Sequence, residues 1–267
     1  MKSVFTEMSM EDIKKSAPSI FQKKQKANLS EHYVHIPTDK VIDDMISLGW
    51  KPCQAVEVKA RKKKTMGYQR HMIKFFNPDI TIEGTNGDNV YPQILLTNSH
   101  DGKNAFTFTA GLFRMVCENG LVISTQEFEN LKIRHMGYNF TELQSTITAM
   151  VEKLPLTVDS MNKLKATQLN QEQKIDFAKR AVETRFGKDE TQNITIDFDS
   201  LLEPTRKEDS GDDIWSVFNV IQEKLIHGMF EYKAGAKVRK ARKIKNFKQD
   251  LKVNEQLFEL ALEYVAA

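Results

Sequence analysis

Apolar and polar positions change rhythm close to residue 139. Upstream they alternate in short runs broken by Gly, Asn and Asp, the pattern of half-buried strands and turns. Gln54 to Ala60 alternates with period two, Arg61 to Thr65 is a cationic tip, and Tyr68 to Phe76 resumes an apolar run, which predicts a hairpin with a lysine-rich loop. Thr81 to Asp88 reads as turn, Val90 to Asn98 as strand, and Asn98 to Asn104 as a tight polar turn. Beyond it Phe106, Thr107, Phe108 and Thr109 are strand formers within the apolar run Ala105 to Val116, and Glu118-Asn119-Gly120 turns the chain into Leu121-Val122-Ile123. This succession predicts an antiparallel sheet. A helix precedes it: Thr38 is placed to cap a face of Val41, Ile42, Met45, Ile46 and Leu48 before Gly49 stops the run. The first thirty residues, polar, lysine-rich and interrupted by Pro18, read as a loose arm.

Downstream the spacing becomes helical. Phe140, Leu143, Ile147, Met150, Val151 and Leu154 form one stripe, ending at Pro155. Asn170 to Phe186 forms a second helix closed by Gly187, and Asp212 to Met229 a third with Gly228 near its end. The segment after it places Lys237, Lys240 and Lys243 on one helical face and Ala241, Ile244, Phe247 and Leu251 on the other, leading to a short apolar helix from Asn254 to Val265. Strands first and helices second is the α+β pattern, an antiparallel sheet in the N-terminal half packed against helices from the C-terminal half. The expected organisation is a flexible basic arm over 1–30, a single α+β domain over 31–230 and a basic helical extension over 231–267.

Composition narrows the class without naming it. With 267 residues, 40% hydrophobic and 28% charged, the chain is long enough for a substantial core and unlike collagen-like, disulfide-scaffold or wholly disordered sequences. No apolar run reaches the ~18 residues of a membrane helix and no signal-peptide core follows Met1, so a cytoplasmic protein with no membrane partner is expected. Cys53 and Cys117 are too far apart for a local metal knuckle and read as reduced, buried, small apolar residues. The net charge of +3 conceals two basic blocks. Between Glu57 and Lys74 stand Lys59, Arg61, Lys62, Lys63, Lys64, Arg70 and Lys74 against Glu57 alone; from Lys233 to Lys252 nine cations, among them Lys237, Arg239, Lys240, Arg242 and Lys243, stand against Asp250 alone. Such blocks favour a polyanionic partner, although lysine runs also serve simply as solvated faces.

Two long stretches carry a family resemblance. Asn98-Ser99-His100-Asp101-Gly102 followed by Gly111-Leu112-Phe113-Arg114-Met115-Val116-Cys117-Glu118-Asn119-Gly120-Leu121-Val122 is the first, and Leu202 to Asp209 with Trp215 to Gly228 is the second. Together they resemble a phage- and plasmid-borne family carried as a domain of unknown function, often labelled phage/plasmid-like protein. The resemblance spans about His32 to Met229 and implies a mobile-element context of DNA metabolism or host takeover.

The densest polar chemistry lies at Asn98 to Gly102. His100 and Asp101 are candidates for a general base with an adjacent carboxylate, or for two metal ligands, with His135 and Glu118 as remote candidates. The competing reading is a hairpin turn in which Asn98, Ser99 and Asp101 bond the backbone and Gly102 supplies a positive φ. No metal-ligand spacing, phosphate-cradling glycine loop or nucleophile elbow occurs, so neither metal nor cofactor is expected. Arg114 suits either an internal ion pair with Glu118 or Asp101 or a phosphate contact. Trp215, Phe218, Ile221 and Leu225 read as a core stripe, flanked by the polar Asn219, Gln222 and Glu223. The first basic block has Tyr68, Phe75 and Phe76 beside it, the combination of cation and aromatic face that suits single-stranded nucleic acid. The leading expectation is therefore a homo-oligomeric protein that binds or anneals single-stranded DNA in recombination or replication. It would act through Arg61, Lys62, Lys63, Lys64, Arg70, Lys237, Arg239, Lys240, Arg242 and Lys243. The alternatives are a nuclease-like enzyme centred on His100 and Asp101, or an inhibitor of a host protein.

Overall fold

The computed structural model describes residues 5–27, 29–31, 33–60, 65–81, 90–114, 120–122 and 139–266. The chain divides into two compact units, Met1–Leu154 and Pro155–Ala267. Strands dominate the first and helices the second, so the class is α+β.

The first unit is built on a five-stranded antiparallel meander, β1 (Lys51–Glu57), β2 (His71–Phe76), β3 (Val90–Asn98), β4 (Thr107–Arg114) and β5 (Gly120–Val122), in that spatial order. Register places His71 opposite both Glu57 and Asn98. In β2, Met72, Ile73, Phe75 and Phe76 are all buried, as expected of a strand covered on both faces. Phe75 and Phe76 therefore serve the core and offer no stacking surface beside the first basic block. Its tip, Arg61 to Lys64, lies outside the described residues, as do most of the turn read at 81–88, Cys117, Glu118 and His135. Helix α2 (Thr38–Ser47) buries Val41, Ile42 and Met45. Pro37 occupies its cap position, leaving the Thr38 hydroxyl for another purpose. Helix α3 (Phe140–Glu152), capped by the Asn139 side chain, buries Leu143, Ile147 and Met150.

Residues 10–21, within the segment read as a loose arm, are ordered. Helix α1 (Met10–Ser16) is capped by Ser9 and followed by a 3-10 turn over Pro18–Phe21. Ile13, Ala17 and Ile20 are fully buried. Only three buried apolar positions anchor this stretch, too few to register as a helical stripe in so polar a segment.

The second unit is helical, with one small sheet. Its elements are α4 (Leu154–Ala166), α5 (Gln171–Phe186), α6 (Lys188–Thr191), β6 (Ile194–Ile196), α7 (Phe198–Leu202), α8 (Ile214–His227), β7 (Glu231–Ala234), β8 (Lys237–Lys240) and α9 (Phe247–Ala266). Pro155, read as a helix stop, falls in the first turn of α4, where a missing N–H costs nothing. Helix α5 carries a full capping box between Asn170 and Gln173. Helix α8 is buried from Ile214 to Ile226, and Phe218 packs edge-on against Phe258 of α9. The basic segment read as helical begins instead as the antiparallel hairpin β7–β8, turned through Gly235 at φ 59°. Glu231-Tyr232-Lys233-Ala234 alternates in burial, so the strand period decides over the three-residue lysine spacing.

Candidate functional site

The Asn98–Gly102 motif folds into a buried hydrogen-bonded network. Asn98, Ser99, His100 and His71 have no exposed surface. The His71 Nδ1 lies 3.1 Å from the Gln69 carbonyl oxygen and 3.0 Å from Ser19 Oγ, while Nε2 lies 2.9 Å from Thr38 Oγ1. A carbonyl only accepts, so Nδ1 carries the proton and Nε2 accepts from the Thr38 hydroxyl. Thr38 Oγ1 in turn accepts from Asn98 Nδ2 at 2.9 Å. Burial pushes the His71 pKa down to about 4, against a weaker opposing contribution from the Gln69 carbonyl, so the ring is neutral at ordinary pH. The network joins the 3-10 turn, α2, β2 and β3 through uncharged groups.

His100 and Asp101 diverge in role. The His100 ring lies 5.1 Å from His71 and 4.6 Å from His35, inside the unit. The Asp101 carboxylate is held by its own turn, accepting from Ser99 Oγ at 2.9 Å and the Lys103 N–H at 3.2 Å. Nearby, burial first and the Asp101 charge second raise the Tyr33 pKa to about 12, and the Tyr33 hydroxyl donates to the Ser99 carbonyl at 3.0 Å. Gly102 turns at φ 72°, and a Cβ there would lie 2.9 Å from Leu29 Cδ2. Arg70 donates to Asn104 Oδ1 at 3.1 Å, which ties this predicted phosphate ligand to the same turn. Among the described residues no group of three His, Cys, Asp or Glu side chains is placed to hold a metal. Cys53 is a half-buried thiol whose pKa burial pushes up to about 11. The side chain of Arg114 lies outside the described residues.

The second motif is likewise a clamp. Glu223, 5% exposed on α8, accepts from both terminal nitrogens of Arg206 and from Thr205 Oγ1. Burial opposes its charge, and the bonds from Arg206 and Thr205 outweigh burial, holding the carboxyl below its ordinary value. Lys224 reaches the carbonyls of Ser200 and Glu203 at 2.6 and 2.5 Å, closing the end of α7. Gln222 donates to Asn254 of α9 and Asn219 to the Trp215 carbonyl, so the polar flank of the stripe serves packing.

The second basic block presents a different arrangement. Lys237, Arg239 and Lys240 on β8, and Arg242 and Lys243 after it, are all exposed. So are Lys233 and Lys245, and no acid occurs between them. Among the described residues these cations form no ion pair. A groove of about 650 Å³ at the root of the hairpin is lined by Arg185, Phe186, Tyr232, Arg239, Lys240, Ala241 and Arg242. Arg185, on the last turn of α5, is the site residue that sequence reading missed. Its guanidinium carbon lies 5.3 Å from the ring centres of both Phe186 and Phe230, and Nη2 donates to the Arg242 carbonyl. Its Nη1 is buried without a hydrogen-bond partner among the described residues. Desolvation pulls the Arg185 pKa below the ordinary guanidinium value, with Tyr232 acting in the opposite sense. The segment carrying Arg242 is fixed by Gly228, the left-handed cap of α8 at φ 70°, where a Cβ would come within 2.5 Å of the Arg242 carbonyl carbon.

Sequence comparison places the chain in a family. The sequence model described as "Domain of unknown function (DUF932)" matches residues 27–258. The chain belongs to the DUF932 family. Both motifs fall inside the DUF932 match, as does the hairpin β7–β8, which the motif resemblance left outside. Two related proteins of Escherichia coli (strain K12), "UPF0380 protein YfjQ" and "UPF0380 protein YafZ", are each 28% identical over 258 residues, covering 95% of this chain and 90% of theirs. No solved structure matches this DUF932 chain. Among the described residues no helix is long and apolar enough to cross a membrane.

Proposed function

We propose that the protein binds nucleic acid, single-stranded DNA first among candidates, through the hairpin β7–β8 and the segment that follows it. The observation that carries this reading is the run of seven exposed cations from Lys233 to Lys245, uninterrupted by an acid and without an ion pair among the described residues. Lysines on an edge strand also deter sheet-to-sheet pairing. That role is met by one or two charges and leaves the density here unexplained. Tyr232 and Phe186 stand beside the cations, and unstacked bases take such rings readily. The mobile-element association that the family resemblance carries suits a protein acting on DNA. In the two motif regions, by contrast, the Asp101 and Glu223 carboxylates are committed to internal bonds and the His100 ring is fully buried, which favours a scaffold role for them over catalysis at His100 and Asp101.

The test is fluorescence anisotropy of a labelled oligothymidylate across a salt series. A strand making about five phosphate contacts should show a slope of log K against log salt near −3.5, roughly a hundredfold loss of affinity for a fourfold rise in salt. Absent or salt-insensitive binding overturns the proposal. Tighter binding of duplex or RNA than of the single strand overturns the choice of DNA strand form.

A further inference from the structure

We infer that Arg185 and Tyr232 form a discrete nucleotide subsite at the root of the hairpin, in which the guanidinium takes a backbone phosphate and the Tyr232 ring takes the adjoining base. This rests on the nucleic-acid reading above and adds to it a defined contact. The exposed lysines can neutralise phosphates anywhere along a strand, because each is a mobile point charge on a flexible stem. Arg185 is different. Its group is fixed before any ligand arrives, flanked by Phe186 and Phe230 and anchored to the Arg242 carbonyl. A guanidinium has five N–H donors. Here a single backbone carbonyl accepts from it among the described residues, and no carboxylate lines the groove. A partly buried cation left without a counterion is costly to a fold, and the Arg206–Glu223 pair illustrates the usual remedy within the same unit. A phosphate supplies the missing acceptors, since its paired oxygens match the fork of a guanidinium.

The neighbours fit a nucleotide better than a bare anion. Arg239, Lys240 and Arg242 continue the positive lining, suiting a chain of phosphates. Tyr232 is half-exposed and its ring centre lies 5.3 Å from that of Phe186, so an aromatic surface adjoins the cation within one groove. A phosphate and its base are separated by a sugar, and a cation beside a ring reproduces that alternation.

Two measurements on the full chain test this. The first compares oligothymidylate affinity of the wild type, Arg185→Lys and Lys237→Gln. Arg185→Lys keeps the charge and loses the fork, so affinity should drop about tenfold with little change in salt slope. Lys237→Gln should lower the slope by about 0.7 with a smaller loss at low salt. The second needs no variant: NMR of the isotopically labelled wild type titrated with hexathymidylate, and separately with inorganic phosphate at equal ionic strength. Hexathymidylate should shift the Arg185 guanidinium and Tyr232 ring signals together, while inorganic phosphate moves Arg185 alone and only at far higher concentration. If the oligonucleotide binds and shifts the hairpin lysines while Arg185 and Tyr232 stay still, the subsite is wrong and the hairpin reading stands. If inorganic phosphate reproduces the full response, the nucleotide assignment fails in favour of a simple anion site. If nothing shifts and no binding is seen, both readings fall.

Discussion

The neutral His71 ring makes the stability of the first unit depend on pH in a way that can be calculated. Its folded pKa is about 4, against 6.5 for an exposed imidazole. The unfolded chain therefore takes up a proton first as the pH falls. Stability from this group is fully present above about pH 6.5 and drains away between there and about pH 4. At about pH 5 the loss amounts to about 2 kcal/mol, and across the whole window to about 3 kcal/mol. The chain has two tryptophans, Trp50 in the first unit and Trp215 in the second. In a Trp215→Phe background, urea unfolding followed by Trp50 fluorescence thus reports the first unit. The expected result is that His71 costs about 2 kcal/mol more between about pH 7.5 and pH 5 than the same chain carrying His71→Gln, whose amide does not titrate in this range. Comparing the two chains cancels the other histidines. Equal pH dependence in both, or an NMR titration of the His71 ring near its ordinary value, refutes the directional network drawn from Ser19 through Asn98.

Two further outcomes follow from the second unit. Arg206→Met leaves the Glu223 carboxylate buried without its main partner and should cost about 3 kcal/mol, with acid unfolding, read by Trp215 fluorescence, moved to higher pH because Glu223 loses what holds its pKa down. Gly228→Ala must place a Cβ at φ 70° against the Arg242 backbone, so it should cost more than about 1 kcal/mol in thermal or urea unfolding and weaken oligonucleotide binding by displacing the cation-bearing segment; unchanged stability would show that the close approach is not required.

The legible parts of the fold were those with a long, regular period. The stripe from Ile214 to Ile226, the helical spacing from Asn170 to Phe186 and the stops at Gly187 and Gly228 predict helices that the structure contains within a few residues. The runs Val90 to Asn98 and Phe106 onward likewise became paired strands. Short elements escaped because their anchors are sparse. β6 is three residues long, and β7 and β8 are four each, amid lysines that also fit a helical face. An alternating Glu231 to Ala234 ahead of Gly235 was the available signal for the hairpin. Site residues were legible where chemistry is local, as in the Asp101 turn, and hidden where it is assembled at a distance. His71 draws its partners from Ser19, Thr38 and Gln69, and Arg185 meets Arg242 only through tertiary packing. Nothing at position 185 distinguishes that arginine from others until its surroundings are known.

Helix α1 and the turn after it precede residue 27, where the match to the family model begins. Physically they belong inside. The Met8 N–H donates to the Pro52 carbonyl of the edge strand β1 at 2.8 Å, the Ser19 N–H to Glu57 Oε2 at 2.9 Å, and Ile13 and Ile20 are fully enclosed. A boundary drawn at the start of the family model would thus strip a sheet edge of its cover and deprive an imidazole of one of its hydroxyl neighbours. The family model and the foldable unit in this protein have different first residues, and the matches to the two Escherichia coli relatives, which cover 95% of this chain, likewise extend upstream of residue 27.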